Sequence, residues 1–177
     1  IPNHCVREQY FGFLREYYQQ AHPLDLSRLK DQIDDLAYDG VWKPFFESIA
    51  CAYRENSSVR DGMEGERNLQ GFLKAYLALA SYYLVEPELE MNYGYCDFFL
   101  LPDKKRYPDV KHSYILELKY ATRTATDAEL EVQALEGRNQ LLQYSEDKIV
   151  RCLSEGTTLH RLLLQFRGWD LVRCEEV

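Results

Sequence analysis

The stretch from Tyr95 to Tyr120, YCDFFLLPDKKRYPDVKHSYILELKY, constrains the fold more than any other part of the chain. Two runs rich in aromatic and aliphatic residues flank a turn-forming PDKKRYPD, the pattern of consecutive strands. Charge nevertheless breaks each run, at Asp97 in the first and at Glu117 and Lys119 in the second. Side chains alternate across a strand. Ile115, Glu117 and Lys119 are therefore expected on one face, with Tyr114, Leu116, Leu118 and Tyr120 on the other. Asp97 shares its expected face with Tyr95 and Phe99, against Cys96, Phe98 and Leu100. A carboxylate inside such a run costs several kcal/mol unless it is paired, metal-bound or sited at a cleft.

The flanking pattern places these strands in an α/β chain. Leu26, Leu29, Ile33, Leu36 and Ala37 recur at helical spacing and stop at Asp39-Gly40, and a second helix runs through Phe45, Phe46 and Ile49. The polar RENSSVRDGMEGE reads as a loop or boundary. From Glu66 a helix carries Leu69, Phe72, Leu73, Tyr76, Ala80 and Tyr83 on one stripe. LVEPELEMN, with its internal Pro87, suggests an edge or bent strand ahead of the two apolar runs. Thr126 and Glu129 form a capping box for a helix predicted to reach about Leu153, with Leu135, Leu142 and Ile149 one heptad apart. Gly137 weakens that helix by about 1 kcal/mol relative to alanine. LHRLLLQF and WDLVRCEEV then read as a strand pair turning at Arg167-Gly168. The order from Glu66 is α-β-β-β-α-β-β, a sandwich in which helices cover both faces of the central strands.

At 177 residues, with 46% hydrophobic and 14% aromatic content, the chain can bury a substantial core and is not a disordered composition. No apolar run approaches the roughly 20 residues that span a bilayer, and no signal-peptide pattern opens the chain. Five scattered cysteines without zinc-knuckle spacing read as reduced thiols, most of them packed in cores, of a soluble cytoplasmic protein. The net charge of −8 counts against a general DNA-coating protein, while leaving room for an enzyme with its basic groups gathered at one site.

If Asp97 and Glu117 lie on adjacent strands, their carboxylates can converge on a hard cation such as Mg²⁺, which takes one or two carboxylates, a backbone carbonyl and waters. Lys119 would then project its ammonium at an anion the metal holds. A metal to polarise a phosphate and activate water, with a cation to stabilise the developing charge, is a set for phosphodiester hydrolysis. The plain alternative is a surface Glu-x-Lys ion pair with an unrelated aspartate upstream. Acid/base chemistry by the carboxylate pair without metal is another option, and it leaves Lys119 without a role. Glu66 either reaches the metal through water or is an ordinary first-turn acid favoured by the helix dipole. His112 and His160 have no ligand-like spacing and read as structural or surface residues. Lys104, Lys105 and Arg106 form a solvated turn or touch a phosphate backbone. Tyr17, Tyr18, Tyr82 and Tyr83 read as packing rather than as base-stacking platforms.

GYCD, Gly94 to Asp97, and ELK, Glu117 to Lys119, on the second and third strands of this order, resemble the PD-(D/E)XK nuclease superfamily. That superfamily has a restriction-endonuclease-like core, with an acid on the second strand and (D/E)-x-K on the third. More narrowly, GERNLQGFLKAYL, YGYCDFFLLP, YILELKY, RNQLLQY and LLLQFRGWDLV resemble the branch found C-terminal to an AAA-ATPase-like domain in bacterial proteins. The resemblance covers about residues 60 to 177. It implies a helical extension over 1–60 that belongs with an upstream ATPase-like region of a longer protein, and a nuclease-like domain over 61–177. It further implies Mg²⁺, with Mn²⁺ as a substitute, held by Asp97, Glu117 and the Leu118 carbonyl. Lys119 would orient the attacking water or steady the transition-state charge. Gln140 matches a position that often lines the site, and a surface helix glutamine is the alternative. The implied partners are nucleic acid, DNA in particular, and the ATPase-like domain. Tyr95 stands where this branch commonly has an arginine, and Cys96 replaces the proline of the motif; both bear on substrate choice. The same fold with its site unused, serving as an interaction or regulatory module, is the second functional reading, and the acidic net charge motivates it.

Overall fold

The computed structural model describes residues 26–58, 65–91 and 94–177. Tyr17, Tyr18 and much of the predicted loop before Glu66 lie outside the described residues. Helix α1 spans Leu26–Tyr38 and α2 spans Lys43–Ser58. In α1 the predicted stripe is inward, with Leu29, Ile33, Leu36 and Ala37 all buried. Gly40 turns the chain at φ 70°, and the His112 ring stands 2.7 Å from where a Cβ would be. Both the left-handed backbone and the close ring call for glycine there. Helix α3, Glu66–Leu77, buries Leu69, Phe72, Leu73 and Tyr76. It ends earlier than its stripe suggested, because Ala80 sits in a turn and Tyr83 begins the first strand.

The strands are β1 (Tyr83–Met91), β2 (Gly94–Pro102), β3 (His112–Ala121), β4 (Thr158–Arg167) and β5 (Asp170–Glu176). They form one mixed sheet in sequence order, β1-β2-β3-β4-β5. The first three are antiparallel; β3 and β4 are parallel, and β5 returns as a hairpin. A parallel neighbour requires a crossover, which α4 (Asp127–Ser145) and α5 (Lys148–Leu153) supply. Helices α1 to α3 cover one face, where Leu36, Phe45, Tyr53, Leu69 and Phe72 pack on Phe98, Leu116, Leu164 and Phe166. On the other face α4 and α5 lay Ala134, Leu141, Tyr144 and Val150 on Cys96, Phe99, Ile115 and Leu163. Burial from both sides explains the unbroken apolar runs Tyr114–Leu116 in β3 and Leu162–Leu164 in β4. Each fully buried large side chain contributes roughly 1.5–3 kcal/mol. The described helices of the first sixty residues thus share a core with the sheet.

Three features of α4, α5 and β2 also depart from the sequence expectation. The long helix predicted to Leu153 is two helices. The capping box is present, with Thr126 N–H donating to Glu129 Oε2 at 2.7 Å, but α4 stops at Ser145. Asp147 is extended and its Oδ1 accepts the Ile149 N–H at 2.8 Å, starting α5 afresh. The heptad Leu135, Leu142 and Ile149 faces outward at 57%, 45% and 44% exposure. The inward face instead carries Leu130, Ala134, Gly137, Leu141 and Tyr144, so small residues that add little to an apolar pattern are the ones that seat the helix. Thirdly, Cys96 packs on the α4 side, while Phe98 and Leu100 pack on the other, so alternation fails at Asp97. The described register between β2 and β3 covers only Phe98–Leu100 against Tyr114–Leu116. Beyond Phe98 the strands part.

Among the described residues four cysteines are reduced thiols, and of these only Cys96 is fully buried; Cys51 and Cys152 are exposed, which corrects the expectation of core thiols. The tyrosines do pack: Tyr82 Oη donates to Asp34 at 2.6 Å and Tyr83 Oη to the Leu36 carbonyl at 3.3 Å. His112 and His160, 48 residues apart, meet across β3 and β4 with 2.9 Å between Nδ1 and Nε2. His160 Nδ1 lies 2.8 Å from Glu176 Oε1, and the Tyr114 ring stacks on the His160 imidazole. Among the described residues no helix is long and apolar enough to cross a membrane.

Candidate active site

The charged residues of the opening stretch meet where β2 and β3 part. Asp97 Oδ2 accepts the backbone N–H of Leu118 at 2.7 Å, so its carboxylate stands in for a rung of the sheet. Its Oδ1 accepts from Gln70 Nε2 of α3 at 3.1 Å. On β3, Glu117 and Lys119 point to the α4 side, as alternation predicts. Lys119 Nζ donates to Glu117 Oε1 at 3.0 Å and to Gln140 Oε1 of α4 at 2.6 Å. Gln140 also hydrogen-bonds the Tyr144 hydroxyl one turn on, so its amide joins the lysine to a buried phenol.

The electrostatics of the cluster are unbalanced. Glu117 is 3% exposed, and its Oε2 is buried with no hydrogen-bond partner. Burial, then the Asp97 charge, pushes its carboxyl up to about 7, against the pull of Lys119. Burial likewise raises Asp97, opposed by the Leu118 N–H and by Lys119. Burial and the nearby Glu117 push the Tyr144 phenol up to about 12. One ammonium faces two carboxylates, and Glu66, exposed at the start of α3, adds a third negative charge that acts on both. An unpaired buried carboxylate oxygen beside a second acid is the environment in which a divalent cation lowers the energy.

The donor set fits a hard cation that keeps much of its water. Among the described residues no group of three His, Cys, Asp or Glu is gathered to enclose a metal. Two carboxylates completed by water, backbone carbonyl and substrate oxygen is the arrangement Mg²⁺ accepts. Asp97, Glu117, Lys119 and Gln140 are therefore brought together, and Glu66 stands beside them. The Leu118 side chain lies in the opposite core, while its backbone runs through the site.

The basic turn is elsewhere. Lys104 Nζ donates to the Glu155 and Gly156 carbonyls at 2.9 and 3.1 Å, tying the β2–β3 turn to the loop before β4. That turn meets the start of β3, about 17 Å of strand from Glu117. Sequence reasoning missed Gln70 as a partner of Asp97, since a glutamine on an amphipathic helix carries no signal of its own. Tyr144 stood in the RNQLLQY segment at the four-residue spacing that makes helix neighbours of it and Gln140, but a tyrosine there reads equally as core packing.

Among known protein families, the model of the PD-(D/E)XK nuclease superfamily matches residues 64–176. No curated protein and no solved structure gives a match. The matched span begins just ahead of α3, ends with the last residue of β5 and contains every residue of the cluster. The mixed sheet between helical layers is consistent with a restriction-endonuclease-like fold with a helical N-terminal part. The chain belongs to the PD-(D/E)XK nuclease superfamily.

Proposed function

We propose that this chain hydrolyses phosphodiester bonds of DNA with the help of a divalent cation. Members of the superfamily typically use divalent metals. The observation that carries the reading is the buried, unpartnered Glu117 Oε2 next to Asp97. Asp97 and Glu117 would hold Mg²⁺, or Mn²⁺ in its place, with the Leu118 carbonyl as a further ligand. When bound, the cation supplies polarisation of a phosphate oxygen and a more acidic water. Lys119 spends two of its three N–H groups on Glu117 and Gln140, which leaves one for the attacking water or a phosphate oxygen. Gln140, steadied by Tyr144, keeps the ammonium in that position. Glu66 adds negative charge at the rim and would act on the cation through water. DNA as substrate, and service as the C-terminal part of a larger protein with an ATPase-like region, rest on the sequence resemblance. Nicking of supercoiled plasmid by the full chain with Mg²⁺ or Mn²⁺, lost in Lys119→Ala and Asp97→Ala, is the expected result. Equal nicking by the parent and Lys119→Ala would remove the assigned role.

A second reading keeps the fold as a catalytically silent interaction module. The net charge of −8 favours it, as does Lys104, which is tied to backbone carbonyls away from the site. Calorimetry separates the two, because a silent module has no need to bind Mg²⁺ through Asp97 and Glu117.

A further inference from the structure

We infer that Gln70 of α3 is a positioning residue that sets the plane of the Asp97 carboxylate; this rests on the reading of Asp97 as a cation ligand. Asp97 has two donors on opposite oxygens, Leu118 N–H on Oδ2 at 2.7 Å and Gln70 Nε2 on Oδ1 at 3.1 Å. Rotation about the last torsion of an aspartate is broad and soft. One hydrogen bond leaves that rotation open, and a second on the other oxygen closes it. Each oxygen keeps a lone pair for a cation beside Glu117.

Gln70 is able to do this because its helix is fixed. Leu69, Phe72 and Leu73 around it are between 0% and 2% exposed, so α3 cannot turn about its axis without opening the core. Gln70 itself is half-buried, which limits competition from water at Asp97 Oδ1. Glu66 lies one turn earlier on the same side of the helix, and its charge reaches Asp97 as well. The choice of side chain also matters. A lysine or arginine in this place would neutralise Asp97 and compete with a divalent cation. An amide orients the carboxylate through its N–H and leaves the whole negative charge for the metal.

The test uses the full chain and Mn²⁺ alone, titrated by calorimetry into the parent protein, Gln70→Ala, Gln70→Glu and Asp97→Ala, with metal-free melting curves alongside. Loss of a hydrogen-bonding partner behind a metal ligand typically weakens affinity 10- to 100-fold. Gln70→Ala is expected to bind Mn²⁺ about tenfold more weakly while melting close to the parent. Gln70→Glu, which keeps the shape but removes the donor, is expected to bind more weakly still. Parent-like affinity in both, with binding lost in Asp97→Ala, overturns the positioning role and leaves the metal site standing. Tighter binding by Gln70→Glu also overturns it, since position 70 would then face the cation directly. Undiminished binding by Asp97→Ala overturns the site reading and the positioning role together.

Discussion

Gly137 of α4 stands directly over Lys119: a Cβ added there would lie 3.2 Å from Lys119 Cε and 2.6 Å from Leu163 Cδ1. The helix approaches β3 and β4 more closely than any side chain would allow, and Lys119 passes beneath it to reach Gln140. Gly137→Ala gains about 1 kcal/mol of helix propensity. It also overpacks a fully buried leucine, at a cost of about 1–3 kcal/mol. The expected net loss of stability is about 1 kcal/mol in a urea melt. Plasmid nicking should fall much further, by about a hundredfold, because the ammonium is displaced. A variant that nicks at the parent rate would show that Lys119 does not depend on this gap.

Glu117 gives the metal-free protein a pH signature. Its carboxyl moves from 4.5 to about 7 on folding, so between these values the folded state holds a proton that the unfolded state has released. The stability this contributes is complete below about 4.5 and is lost as pH rises through about 7. The metal-free melting temperature should therefore decline across this window, and Glu117→Gln should flatten the decline. Mn²⁺ binding just below neutrality should release protons, which calorimetry in two buffers of different ionisation heat would register.

The two apolar stripes of α4 make opposite predictions. Leu141 is fully buried, and Leu141→Ala should cost about 2–5 kcal/mol. Leu135 and Leu142 are exposed, so the double change to glutamine should stay within about 0.5 kcal/mol per site. Denaturant midpoints of the two variants, compared side by side, decide which stripe is structural.

Asp147 holds the start of α5 with a carboxylate that is 1% exposed and accepts the Ile149 N–H. Asp147→Ala should cost about 1–2 kcal/mol and Asp147→Asn a good deal less, since an amide oxygen still caps. A thermal melt in which both variants fall equally would point to the charge rather than the cap.

The parts legible in the sequence were those set by periodicity. Glu117 and Lys119 share a face because a strand alternates, and Thr126 with Glu129 announces its helix through local hydrogen bonds. The stripe of Leu29, Ile33 and Leu36 is inward because a helix repeats every 3.6 residues. What escaped the sequence depends on tertiary proximity. Leu135, Leu142 and Ile149 are as regular as any core stripe, yet Ala134 and Gly137 seat α4 because the sheet is so near. The Cys96 side was unreadable because β2 leaves β3 at Asp97. His112 and His160 gave no sign of each other, because only the parallel pairing of β3 with β4 makes them neighbours.

The parting of β2 from β3 has a mechanical consequence. Among the described residues three register pairs fasten the β1–β2 hairpin to β3, whereas ten join β3 to β4 and eight join β1 to β2. The hairpin is internally firm and lightly moored, so its opening should require less free energy than disruption of the central pair. One acid rides on that hairpin and the other on the anchored strand. An ion shared between them would act as a rivet across the seam, slowing amide exchange along β2 while leaving β4 unaffected.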